Sequence, residues 1–155
     1  MNDISPDEIQ AAVKNFWNFF YRKSKTQFWE MYLSSATVFN IDARRMELAR
    51  LMWVRREREL FSPAASVAAK LGAINVQLLR NDLAVASYPF HLSVTREFAG
   101  GKRYHSEVPS GRATQVFQRD ENGVLRIVHE HMSSGELVTP KELSQTDPPA
   151  PAQKS

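Results

Sequence analysis

The chain has no cysteine, six glycines among 155 residues, and no apolar run approaching the length of a membrane-spanning helix. The first absence excludes a disulfide framework, a thiolate nucleophile and cysteine-ligated zinc or iron–sulfur centres. The missing apolar run predicts no membrane partner. The polar, acidic start from Met1 to Pro6 lacks the basic-then-apolar pattern of a secretory signal, so a cytoplasmic protein is expected. Charge of one sign is scarce as well: the net charge is +3, and Ala43 to Leu60, with six Arg against three Glu, accounts for all of it. Signs mix along Arg55-Arg56-Glu57-Arg58-Glu59, as on a salt-bridged, solvent-facing helix, so no nucleic-acid partner is expected. Arg also pairs bidentately with carboxylates, which leaves a pocket or interface use of this stripe open. What is plentiful is apolar surface: 43% hydrophobic and 10% aromatic residues supply one core for one domain.

Ser5-Pro6-Asp7-Glu8 combines a capping serine, a proline at the first helical position and a glutamate three residues after the cap. A helix begins there, with Ile9, Ala12, Val13, Phe16 and Phe20 on one apolar stripe and Trp17 at its margin. Ser24 and Gln27 repeat the capping pattern before a shorter helix carrying Phe28, Met31 and Tyr32. The β-branched run from Ala36 to Ile41 predicts a strand, and a third helix is expected from Ala43, with Met46, Ala49, Trp53 and Leu60 on one side. Ser62-Pro63 reads as a helix-start or turn signal. Beyond it the period becomes two, predicting strands at about 72–79, 83–98, 103–118 and 124–133, joined by Arg80-Asn81-Asp82, Gly100-Gly101 and Glu121-Asn122-Gly123. Such short turns imply antiparallel neighbours. In the second of these strands Ala84, Ala86, Tyr88, Phe90, Leu92, Val94 and Phe98 share one face, and Pro89 and Pro109 mark a break or bulge. The domain is expected over 5–138, with a Pro-rich flexible tail over 139–155 whose composition cannot offset chain entropy.

The order helix, helix, strand, helix and four long strands resembles the SnoaL-like group of the nuclear transport factor 2-like superfamily. The residues carrying the resemblance are Phe16-Trp17 and Phe20, Ala36-Thr37-Val38-Phe39, Leu83-Ala84-Val85-Ala86, Arg112-Ala113-Thr114-Gln115-Val116-Phe117 and the ending from Gly123 to Ser133. That ending is similar to the association (hub) domain of calcium/calmodulin-dependent kinase and its bacterial relatives. The resemblance implies an α+β cone (cystatin-like), a curved antiparallel sheet wrapped around the N-terminal helices with a pocket between them. It also implies a homodimer through the sheet, or a higher homo-oligomer. Superfamily members include ketosteroid isomerases, cyclases and dehydratases as well as plain binding modules, so the fold does not name a reaction. Where the isomerases carry a general-base Asp, this chain has Asn40, with Asp42 two residues on. Asn takes no proton at neutral pH. Where hub domains often carry an Arg, it has Met132.

His129 and His131, two apart on a strand, point to one face, expected to be shared with Leu125 and Ile127; Glu130 points to the other with Val128 and Met132. Either face meeting a pocket would supply acid–base groups. A hydrogen-bonded structural or interface network is the other use of the same three residues. The histidine pair lacks a third protein ligand at nearby spacing, so no metal is expected, nor any cofactor. Arg112 would clamp a carboxylate or form a salt bridge, while Trp17, Tyr32, Asn40 and Tyr88 are candidate ligand contacts. His91 and His105 are weaker candidates. Two functions stay open: a dimeric, non-catalytic module binding a small carboxylate or carbonyl compound, or an isomerase-, cyclase- or dehydratase-like enzyme using Glu130, His129, His131 or Asp42.

Overall fold

The computed structural model of the chain describes residues 3–39, 47–48 and 60–134. Helix α1 spans Pro6–Arg22, and the Ser5 hydroxyl accepts the Glu8 N–H at 3.2 Å. The reciprocal half of the capping box is not made. The Glu8 carboxylate instead receives Arg119 Nη2 at 2.6 Å, which ties the start of α1 to the far end of the sheet. Ile9, Val13, Phe16, Trp17 and Phe20 are buried, so Trp17 belongs to the stripe and not to its margin. α1 stops at Lys23, whose left-handed backbone turns its N–H onto the Phe19 and Phe20 carbonyls. α2 is a short Lys25–Glu30 helix without a side-chain cap at Ser24.

The strands are β1 (Tyr32–Phe39), β2 (Glu47–Leu48), β3 (Ala65–Leu71), β4 (Asn75–Arg80), β5 (Leu83–Phe98), β6 (Lys102–Arg119) and β7 (Leu125–Ser134). They form one sheet in the order β2-β1-β7-β6-β5-β3, with β4 also on β5. Consecutive strands from β4 to β7 pair antiparallel, as their short turns require. The sheet is nonetheless mixed, because β1 runs parallel to β7. No hairpin joins those two, and the intervening chain serves as the long crossover that parallel pairing needs.

Two sequence expectations are corrected, and one unassigned segment gains an element. Tyr32 opens β1 and is not the end of a helix. The Ala-rich Ala65–Leu71, which follows the Ser62-Pro63 signal, is a strand on β5. Within the segment expected as a third helix, the described Glu47–Leu48 is extended and paired with β1; the rest of that segment and the 139–155 tail lie outside the described residues. β5 keeps its expected ends, and Ala84, Ala86, Tyr88, Phe90 and Val94 are buried against the helices while Phe98, at the hairpin tip, is exposed.

Both prolines mark irregularities. Phe90 pairs with Gly111 and Leu92 with Val108, so β6 fits one extra residue beside Pro109, which bends the sheet. Pro89 accepts the Gly72 N–H at 2.9 Å but has no N–H to return, and there the edge of the sheet breaks between β3 and β4. Behind the bend, Gly111 gives the Phe90 ring its place: a Cβ there would lie 2.4 Å from the ring, which already packs on Trp17. Gly111→Ala is expected to cost about 1–3 kcal/mol by overpacking. Chemical denaturation would measure it, and an unchanged midpoint would show that Phe90 yields freely.

Candidate functional site

A bulge in β7 decides which side chains face the helices. Phe117 pairs with Ile127 but Val116 pairs with His129, so two steps on β7 oppose one on β6. The extra residue, Val128, inverts the alternation. Ile127, Glu130 and Met132 therefore share the buried face, while His129 is half-buried on the outer face and His131 is exposed there. The histidines do not share a face with Ile127, and Glu130 does not share one with Val128.

Glu130 is fully buried, and its Oε2 accepts two hydrogen bonds, from Tyr32 Oη at 2.9 Å and from Gln115 Nε2 at 2.8 Å. Gln115, equally buried, accepts in turn from Tyr88 Oη at 3.0 Å, and Tyr88 accepts from Trp17 Nε1 at 3.0 Å. One line of directed hydrogen bonds thus joins α1, β5, β6, β7 and β1. Sequence position explains each member: Trp17 sits on the apolar stripe, Tyr88 and Gln115 on the core faces of their strands, and Tyr32 at the entry to β1. Aromatic rings close over the line, with Phe16 edge-on to Trp17 and Tyr32, and Phe28 edge-on to Tyr32.

On the outer face, His129 Nδ1 lies 2.9 Å from Thr37 Oγ1, and the Phe39 ring meets the rings of both histidines. Arg112 is exposed; it pairs in register with Ser133 and Pro89, so it stands away from the Glu130 line. His105 and His91 converge on Glu107 farther along the same hairpin, which holds the Glu107 carboxyl below its usual range through the His105 hydrogen bond first. Asn40, Asp42 and Trp53 lie outside the described residues. Among the described residues no group of three His, Asp or Glu side chains is arranged to hold a metal ion. An open groove of about 560 Å³ runs between α1, α2 and the start of β7 along Ala12, Phe19, Met31 and Leu125, and none of the residues of the Glu130 line borders it.

The sequence brought Trp17, Tyr32, Tyr88 and Glu130 forward separately, and the structure brings them together. Gln115, which connects them, was not among the candidates. Its signal was present: Gln115 lies between Ala113 and Phe117 on the face those two bury.

Neither a protein-family model nor a curated protein matches this sequence. Solved structures do match. A nuclear transport factor 2-like superfamily protein from Salmonella enterica aligns at a TM-score of 0.62 and 19% identity, over 88% of this chain and 94% of that one. The association domain of the C. elegans calcium/calmodulin-dependent protein kinase II aligns at 0.61 and 16%, over 83% and 94%. A Catenulispora acidiphila protein in complex with S-DNPA aligns at 0.64 and 12%, over 83% and 91%. The chain has the nuclear transport factor 2-like α+β fold, and identities this low make the likeness one of fold.

Proposed function

We propose that this chain is a non-catalytic, small-molecule-binding module that self-associates as a homodimer through the outer face of its sheet. One observation carries the reading: the two faces of β6 and β7 have opposite character. Inside, the Glu130 carboxyl that an acid–base enzyme would deploy is sealed from solvent and engaged by Tyr32 and Gln115. Outside, two rows of side chains, partly buried except for His131 and containing no Asp, Glu, Lys or Arg, cross the centre of the sheet. One runs Val85, Val116, His129 and Thr37, the other Ser87, Thr114, His131 and Phe39. Exposed Arg112 stands at their margin. A charge-poor centre with a polar rim is the composition of a protein interface.

A ligand entering the interior has to take over donors that Trp17, Tyr88 and Tyr32 now give to Tyr88, Gln115 and Glu130, and a carbonyl acceptor is the group that replaces those acceptors. A carboxylate fits poorly beside the buried acid of Glu130. The bound structure of the Catenulispora acidiphila protein supports ligand binding by this fold and leaves the ligand of this chain to experiment. Two measurements test the module. Sedimentation velocity at micromolar concentration should give a dimer that Val116→Lys converts to monomer, because the substitution sets like charges across a two-fold axis; a monomeric wild type sinks the assembly reading. Carbonyl compounds should move the Trp17 indole N–H resonance, and Tyr32→Phe should weaken that response. Turnover of such a compound, lost in Glu130→Gln, would instead establish the enzyme.

A further inference from the structure

The sheet has an open edge. β3 and β4 both pair with β5 on the side away from β6, and among the described residues nothing pairs with their far side. Edge strands carry unpaired N–H and C=O groups, and proteins ordinarily guard them with lysine, proline or inward-pointing charge. β3 follows that rule in part, with exposed Lys70. β4 does not: Asn75-Val76-Gln77-Leu78-Leu79 holds neither charge nor proline, and Leu78 and Leu79 are 48% and 55% exposed. Its one charged residue, Arg80, is held by Asp82 of the following turn at 3.2 Å.

We propose that β4 is a docking edge for a second copy of this chain, the two β4 strands pairing antiparallel about a two-fold axis so that the sheet continues from one protomer into the next. Three features favour a copy over a foreign peptide. With Arg80 balanced by Asp82, the edge offers no net charge by which to select a charged partner. Its own sequence supplies matching apolar and amide side chains: with the axis through Gln77, that residue faces its own copy and Val76 faces Leu78 of the other copy. Because each Arg80 keeps its Asp82, no like charges are forced together. The break at Gly72, where a Cβ would strike the Pro89 ring at 2.5 Å, confines this pairing to β4 and leaves β3 out of line.

The edge contact is separate from the outer-face contact, and the masses distinguish them. With both in place, the wild type sediments as an assembly larger than a dimer. Leu78→Lys with Leu79→Lys reduces it to the face-to-face dimer, Val116→Lys leaves the edge-paired dimer, and the combination is a monomer. If the face reading alone fails, the wild type is a dimer that the edge variant splits and Val116→Lys does not. A measurement on the wild type needs no variant to fold: amides of 75–80 should exchange hydrogen about tenfold more slowly in concentrated than in dilute protein. Equal exchange at both concentrations, an unchanged mass in the edge variant, or protection that appears only on adding a peptide overturns the proposal.

Discussion

Glu130→Ala is expected to lower the stability of the chain by about 3–5 kcal/mol, the cost of two stranded buried donors and a void. The substitution strands two donors that the structure seals from water, the Tyr32 hydroxyl and the Gln115 amide. Each buried, unsatisfied donor costs about 1–3 kcal/mol, and the space left by the carboxyl adds to this. For a chain of this size the melting temperature should drop by roughly 10 °C. The effect is coupled. In the Gln115→Leu background one of the stranded donors is already gone, so Glu130→Ala should cost less there than in the wild type. Additive losses would mean that the two side chains are not partners, and a nearly unchanged melting temperature in the single variant would show that the line of hydrogen bonds does not hold the core.

The second large effect is placed at Phe16, which lies at the middle of the aromatic wall. It is fully buried, with ring centroids 5.2 Å from Trp17, 5.5 Å from Phe20, 5.2 Å from Phe28 and 6.2 Å from Tyr32. Phe16→Ala should cost about 3–5 kcal/mol, since neighbours held by so many mutual contacts cannot collapse into the void. An apolar void of this kind stays dry and accepts small aromatic molecules. Benzene or indole should therefore raise the melting temperature of the variant and leave that of the wild type unmoved. Tyr21→Ala on the same helix is the control, because Tyr21 is 72% exposed and its loss should fall within about 0.5 kcal/mol. Equal losses at positions 16 and 21 would place the cost in helix propensity and not in packing.

The sequence showed the parts of this fold that rest on local physics. Ser5-Pro6 set the start of α1 and the alternation of β5 gave both its ends, because capping and a half-buried face act over a few residues. Pro109 announced the bend by the same local logic. What escaped was set by distant partners. Ala65–Leu71, which the sequence pattern leaves without an element, is a strand because β5 offers it a pairing edge. The parallel alignment of β1 with β7 has no signature in either segment. The bulge at Val128 lies between these cases. Ile127 and Met132 are five apart, an odd spacing that a regular strand cannot bury on one side, so the phase change was written in the sequence and read as unbroken alternation. For the same reason the histidines were assigned the wrong neighbours, and the polar line through Gln115 emerged only from the three-dimensional arrangement.

The parallel pairing also sets the order in which the molecule can assemble. Thr37 meets His129 across 92 residues of chain, and Tyr32 reaches Glu130 across 98. On the ribosome, α1 and β1 emerge long before the strand that β1 lies against, so the phenylalanines of α1 wait without the β7 part of their sheet while the β4 to β7 meander is made. Contacts closed over such distances form late and slowly, and apolar surface left uncovered in the interval is where non-native association begins. The last described strand to be synthesised occupies a central position in the sheet, between β1 and β6. A chain halted before Leu125 would therefore lack the strand that joins β1 to the rest of the sheet, along with the acceptor for the Tyr32 hydroxyl.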